Sequence, residues 1–274
     1  MAVALNSKWK INLGSFFING LTYLQRADLL NECIKKLTES GAIVTSVTFD
    51  GLSSNFSMAR YLGCDFSNVY KLKTFFPNPV NGTPILVILD PAHMLKLVRG
   101  TLGSLKIMLD SENGKNEILW QYFAELYRTQ ERELLHSGNK LTDLHINYKK
   151  KPMNVRLAAQ LFSKSVADSM QHLLNIKNEN FKNCEATIKF IRKFNDLFDL
   201  LNSVRFNKLY PWKNPISEKN FCTIYKEFLN CYEYMKDLMV LGDWVFASVL
   251  KSRKKAWFLG LLISIHTFFF IRTS

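Results

Sequence analysis

Asp50 and Asp90 each stand just past a short apolar run. Ile43–Phe49 (IVTSVTF) precedes Asp50-Gly51, and Pro84–Leu89 (PILVIL) precedes Asp90-Pro91. In open α/β sheets, ligands and catalytic groups gather beyond the C-terminal ends of strands. Two carboxylates brought together there could hold divalent metals for phosphoryl transfer. Asp-Gly and Asp-Pro are also turn formers, the plainer reading of each on its own. His93, in Asp90-Pro91-Ala92-His93, could orient a phosphate or a carboxylate, or be satisfied by local hydrogen bonds at a helix start.

Other chemistries find less support. No G-x-x-x-x-G-K-[ST] occurs, so no P-loop is expected. Asn139-Lys140-Leu141-Thr142-Asp143 is one residue longer than the guanine-reading N-K-x-D box. No G-x-S-x-G elbow points to Ser/His/Asp hydrolysis. The five cysteines, at 33, 64, 184, 222 and 231, show no C-x-x-C spacing and no histidine at ligand spacing. They are expected to be reduced thiols without zinc, with Cys64 and Cys184 as small buried hydrophobes. Lys149-Lys150-Lys151 and Lys251, Arg253, Lys254 and Lys255 could contact phosphates or form solvated charged faces.

The elements that must position these groups read as two parts meeting near residue 98. In the first, Lys8–Ile18 (KWKINLGSFFI) has strand composition. Leu24, Ala27, Leu30, Ile34 and Leu37 recur at helical spacing over Thr22–Glu39, and Gly41 supplies a stop. Ile43–Phe49 and Pro84–Leu89 read as buried strands. Ser53–Leu62 reads as a helix capped by Ser53 or Ser54, and Met94–Leu102 as another. In the second part the spacing predicts an almost wholly helical chain, with helices over Glu117–Arg128, Val155–Leu174, Cys184–Asn202 and Phe221–Met239. The expected class is α/β plus α.

The chain has 274 residues, room for one large or two ordinary domains. At 47% hydrophobic and 22% charged it is neither largely disordered nor collagenous. The net charge is +13. Residues 1–98 carry nine basic and six acidic side chains, and residues 99–274 carry 27 and 17. This surplus points to a polyanionic partner: nucleic acid, nucleotide or an anionic membrane face. No secretory signal is visible. Trp257–Ile271 (WFLGLLISIHTFFFI) is 15 residues long with His266 inside, short of the roughly 20 that a spanning helix needs.

Longer stretches carry a family signature. Phe16-Phe17-Ile18-Asn19-Gly20, Val47-Thr48-Phe49-Asp50-Gly51 with Ser54-Asn55 and Leu62-Gly63-Cys64, and Asp90 through Arg99 (DPAHMLKLVR) resemble the P-element transposase family, which includes the THAP-type transposases. In the second part Asn139–Thr142, Val155–Gln160 (VRLAAQ) and Asn195–Ser203 (NDLFDLLNS) match too, so the resemblance runs from about Trp9 to about Ile265. It implies a partial RNase H-like α/β sheet over 1–98, a mostly helical GTP-binding insertion domain over 99–265, and a divergent apolar tail over 266–274. It implies DNA cleavage and strand transfer in the nucleus, with transposon ends and target as DNA partners and GTP and Mg²⁺ as cofactors.

Carried over residue by residue, the resemblance makes Asp50 the second of three metal-holding catalytic carboxylates. It places guanine-nucleotide contacts at Lys140, Asn154, Val155, Ser163, Phe198, Asp199 and Asn202. Asn154 stands where the family usually has a lysine, a change that removes a phosphate-facing charge. The first carboxylate is expected upstream of the Lys8–Ile18 strand, yet the first acidic residue is Asp28; the third is expected after the insertion, where His266–Ser274 departs from the family. One carboxylate cannot hold two metals at roughly 4 Å, so the expectation is a truncated transposase, inactive alone, that retains nucleotide and DNA affinity. The alternatives are a domesticated DNA- and GTP-binding regulatory module that associates with a full-length transposase, and an enzyme completed by missing sequence. The 257–271 segment is expected to be exposed, and no membrane partner is expected.

Overall fold

The computed structural model describes residues 1–5, 7–15, 20–111, 116–133, 139–203, 211–241 and 245–273. The chain divides into two compact units, Met1–Ile88 and Leu89–Ser274.

Unit 1 opens with a small hairpin, β1 (Ala2–Val3) antiparallel to β2 (Lys10–Ile11). Of the strand expected over Lys8–Ile18, the described residues place Lys10–Ile11 in a strand. Asn12 Oδ1 accepts from the Gly14 amide at 3.2 Å, an Asx turn that diverts the backbone from a ladder; Phe16–Asn19 lie outside the described residues. Helix α1 (Tyr23–Glu39) begins at a capping box: the Gln25 amide donates to Thr22 Oγ1 at 3.3 Å, and the Thr22 amide to Gln25 Oε1 at 3.0 Å. Its apolar face buries Ala27 and Ile34, and Gly41, at φ +86°, turns the chain away. Strand β3 (Ser46–Phe49), helix α2 (Ser53–Leu62), β4 (Phe75–Pro77) and β5 (Pro84–Leu89) follow. The sheet order is β3-β5-β4. Central β5 buries Ile85, Val87 and Leu89 on alternate residues. The N-cap of α2 is Leu52, not Ser53 or Ser54, because the Asp50 carboxylate takes the Leu52 amide at 3.1 Å.

Unit 2 begins with α3 (Pro91–Leu105), β6 (Ile107–Asp110), β7 (Asn116–Leu119) and α4 (Gln121–Glu133). Next come α5 (Asp143–Ile146), a 3₁₀ turn at Tyr148–Lys150, α6 (Val155–Leu161), α7 (Lys164–Asn175), α8 (Glu185–Leu201) and α9 (Glu218–Lys236). It closes with β8 (Leu238–Leu241), β9 (Phe246–Ser248) and α10 (Ala256–Thr273). The α/β-plus-α class holds, but the second part is not almost wholly helical. An antiparallel sheet of order β7-β6-β8-β9 runs through it. The helix expected over Glu117–Arg128 starts as strand, and the one expected over Val155–Leu174 breaks at Phe162-Ser163, where Ser163 in extended conformation stands at the N-cap position of α7.

Aromatic packing fills this unit. Phe190 and Phe194 of α8 lie 4.4 Å apart between ring centroids, and Trp257 meets Phe194 at 5.7 Å. The apolar segment at 257–271, expected to be exposed, is the buried helix α10: Trp257, Phe258, Leu261, Leu262, Ile263, Ile265 and Phe268 are all in the core. It is apolar on every face because it is enclosed on every face. Helix α10 runs antiparallel to α3. Ser264 Oγ receives the Leu89 amide at 3.1 Å, and Gly260 abuts Met94. Among the described residues no helix is long and apolar enough to cross a membrane. Lys189 of α8 reaches the buried Asp110 carboxylate of β6 at 2.9 Å, pairing a charge that would otherwise be costly to bury. Cys64 and Cys184 are buried as expected, and burial pushes both thiols up to about 12, which makes them unreactive.

Candidate functional site

Asp50 is exposed at the end of β3. Its Oδ1 accepts from Asn55 Nδ2 at 2.7 Å, and Asn55 Oδ1 in turn accepts from Arg26 Nη1 at 3.4 Å. An Arg26–Asn55 relay from α1 and α2 thus holds one oxygen of a solvent-facing carboxylate. Asp90 opens unit 2 and is spent on local structure: its Oδ1 accepts the Ala92 amide at 3.0 Å and caps α3, with Pro91 at the first helical position. His93 lies in that first turn. Among the described residues no group of three or more His, Cys, Asp and Glu side chains is placed to hold a metal. One exposed carboxylate does not fit a two-Mg²⁺ centre.

The remaining candidates lie in unit 2. Ser163 stands at the N-cap position of α7 without a side-chain cap, its Oγ donating instead to the Gln160 carbonyl at 2.8 Å and lying 3.0 Å from Ser165 Oγ. The next amide, Lys164, donates to Asn195 Oδ1 of α8 at 3.2 Å. Asn195 Nδ2 reaches Asp196 Oδ1 at 3.1 Å and Asp199 Oδ2 at 3.5 Å. One amide side chain therefore ties the start of α7 to the carboxylates near the end of α8. Burial pushes the Asp199 carboxyl up from its usual range, while Lys213 at 3.6 Å pulls it back. Phe198 lines a narrow apolar crevice with Pro91, Leu95, Leu197 and Leu201, with room for no more than a water-sized group. Asn202 ends α8, its amide bonded to the Phe198 carbonyl. Asn195 and Lys213 were not singled out from sequence. Asn195 sits inside a matched motif, but only its contact with α7 reveals its role.

Lys140 is exposed, and its neighbours are structural. Asn139 is buried and donates to Ser169 Oγ at 3.0 Å, while its Oδ1 accepts the Leu141 amide. Asp143 binds Lys150 at 2.9 Å and pairs with Asn147. The N-K-x-D-like run is a folded corner in which Asn139 is buried and Asp143 is paired with Lys150 and Asn147. Asn154 caps α6 by accepting the Leu157 amide at 3.1 Å, which places Val155 in its first turn. Between these points Arg99 of α3, 1% exposed, donates through Nη2 to the Lys151 and Pro152 carbonyls at 3.2 and 2.8 Å. Its Nε and Nη1 have no partner among the described residues, and its guanidinium lies 5.9 Å from the Tyr148 ring centre.

His145 pins the same corner. Its Nδ1 receives the Thr142 amide at 3.0 Å, so Nε2 carries the proton and donates to Gln160 Oε1 at 3.2 Å. Burial, aided by the Arg99 charge, pulls its pKa below the ordinary value. The unfolded chain then binds the proton more tightly. Stability from this group is complete above about pH 6.5 and is lost as pH falls through that value. The thermal midpoint should drop between pH 7.5 and pH 5, and less steeply in His145→Gln; parallel slopes would remove His145 as a titrating group. His266, also lowered by burial, accounts for part of the remaining drop.

Residues 92–215 match the family model described as TNP-like, GTP-binding insertion domain, and residues 1–63 match TNP-like, RNase H N-terminal domain. The human protein described as DNA transposase THAP9 is 30% identical over 266 residues, 96% of this chain and 28% of that protein. The chain thus spans just over a quarter of the length of this relative. A chain of the Drosophila P element transposase strand transfer complex is similar with a TM-score of 0.74 at 23% identity, covering 90% of this chain and 52% of that one. That likeness is one of fold.

Proposed function

The chain belongs to the P-element transposase family, and from that membership we propose that unit 2 binds GTP at Lys140, Asn154, Val155, Ser163, Phe198, Asp199 and Asn202. The observation that carries this reading is the Asn195 bridge, which draws the start of α7 to Asp199 beside Phe198. The donor set suits a purine nucleotide. The half-exposed Phe198 ring offers a face for the base, and Asp199 accepts from guanine's ring and exocyclic N–H groups. Lys140 supplies positive charge for phosphate. Asn154, already spent as a cap, contributes none.

DNA is the proposed macromolecular partner, as transposon ends and target, in the nucleus. Asp50, held by Asn55, is the proposed metal-facing carboxylate of the RNase H-like part. Because no group of three or more ligating side chains is placed to hold a metal among the described residues, residues 1–274 by themselves are proposed to bind nucleotide and DNA without cleaving DNA. A nucleotide set retained without a three-ligand metal group among the described residues also suits the second reading, a regulatory module that associates with a full-length transposase.

Isothermal calorimetry on the full chain with Mg²⁺, GTP against ATP, tests this. Guanine-selective heat with no cleavage of duplex DNA is the expected result. Absence of GTP binding would sink the nucleotide reading, and Mg²⁺-dependent cleavage would sink the inactive one.

A further inference from the structure

The two basic clusters noted in the sequence stand on either side of one helix. Lys149, Lys150 and Lys151 are exposed on the 3₁₀ turn, and that turn is fastened to α3: Arg99 holds the Lys151 and Pro152 carbonyls, and any side chain at Gly103 would run into the Tyr148 ring. Lys251, Arg253, Lys254 and Lys255 are exposed just ahead of α10. Because α10 is antiparallel to α3, with Ser264 at Leu89 and Gly260 at Met94, equal rise along both helices brings Lys255 abreast of the Val98–Arg99 turn. On α3, residues 94 and 98 face α10, whereas 99 and 103 face the 3₁₀ turn. At 100° per residue, the half-exposed His93, Lys96 and Gly100 and the exposed Ser104 lie on the face between these two sides. At Gly100 a side chain would meet only open space.

We infer that this face of unit 2 is a cradle for the phosphate backbone of duplex DNA, with α3 as its floor and the two lysine-rich segments as its rims. The inference rests on the reading of DNA as the partner. Among the described residues, Lys150 has a carboxylate partner, Asp143, and the other six rim cations have none. Unpaired cations that neutralise phosphates release the counterions condensed on the duplex. The small floor residues let a backbone approach closely. Lysine rims with no aromatic interleaving contact phosphates without reading bases.

The test is binding of a 25-base-pair duplex of arbitrary sequence by the full chain at several NaCl concentrations. In a variant combining Lys149→Gln, Lys151→Gln, Lys254→Gln and Lys255→Gln, the slope of log K against log salt should become shallower by about 3 to 4, near 0.9 per lost phosphate contact. A control combining Lys177→Gln and Lys182→Gln should keep the wild-type slope, and unchanged melting of the fourfold variant would confirm its fold. If wild type binds and the fourfold variant keeps its slope, this surface is wrong while DNA remains the partner. If wild type binds no duplex, or prefers phosphatidylserine vesicles, the partner is wrong and the cradle falls with it.

Discussion

Asp199→Asn lowers GTP affinity by roughly 10²-fold or more and abolishes the preference over ATP, while ATP binding stays nearly as weak as before. A carboxylate offers guanine two acceptor oxygens for its N–H donors, as charge-assisted bonds. Asparagine replaces one acceptor with a donor, which leaves a partly desolvated N–H facing another. A site built to hydrogen-bond its ligand loses this much when a partner goes unpaired. Asp199 is half-buried and held by Asn195 and Lys213, so its oxygens are placed before any ligand arrives. The Lys213 contact is a 3.6 Å ion pair whose lysine is 44% exposed; its loss costs about 1 kcal/mol of stability or less. Calorimetry with both nucleotides, beside a melting curve for the variant, separates binding from folding. A variant that still prefers GTP would take Asp199 out of the base contact.

Gly260→Val destabilises unit 2 by about 1 to 3 kcal/mol, the usual cost of overpacking a filled core. A Cβ at Gly260 would strike the Met94 sulfur, with Met94 Cγ at 3.3 Å and Leu89 Cγ at 3.4 Å behind it. Gly260→Ala has the smaller effect. The end of a methionine side chain can move, and alanine is favoured over glycine in a helix by up to about 1 kcal/mol. Valine adds two branches with nowhere to go. Met94→Ala should rescue Gly260→Val in part, and chemical denaturation of the four forms measures the coupling. Strictly additive effects would mean that the two helices do not meet at this point.

How legible these features were in sequence depended on length and on the distance of the partner. Strand β5 was readable because Pro84–Leu89 is a six-residue apolar run between turn residues, and α1 because its apolar positions and its Thr22 cap are local. The strands of unit 2 were not. Ile107–Asp110, Asn116–Leu119, Leu238–Leu241 and Phe246–Ser248 have three or four residues each, and β7 and β8 abut helices. Periodicity cannot separate so short an apolar run from a helix turn, so β7 was absorbed into the helix that follows it. The break between α6 and α7 carries no glycine or proline, only Ser163. Helix α10 misled because uniform apolarity states that a segment avoids water without stating what covers it. Within the candidate site, the named residues came from a family likeness. The groups that organise them, Asn195 from α8 and Arg99 from α3, became visible only through contacts 31 and 52 residues away.

The α3–α10 contact also sets a timetable. The Leu89 amide finds its acceptor on Ser264, 175 residues later, and β6 pairs with β8 across a similar gap: Asp110 stands opposite Leu238. Contacts of such long range must close a large loop before they contribute anything. At synthesis rates of roughly 5 to 20 residues per second, the apolar side of α3 waits about 10 to 35 s for its cover. During that interval the nascent chain presents Met94 and Val98 to water or to a chaperone. The α10-facing side of α3 is therefore covered late, although Arg99 on its other side meets the Lys151 carbonyl 52 residues on.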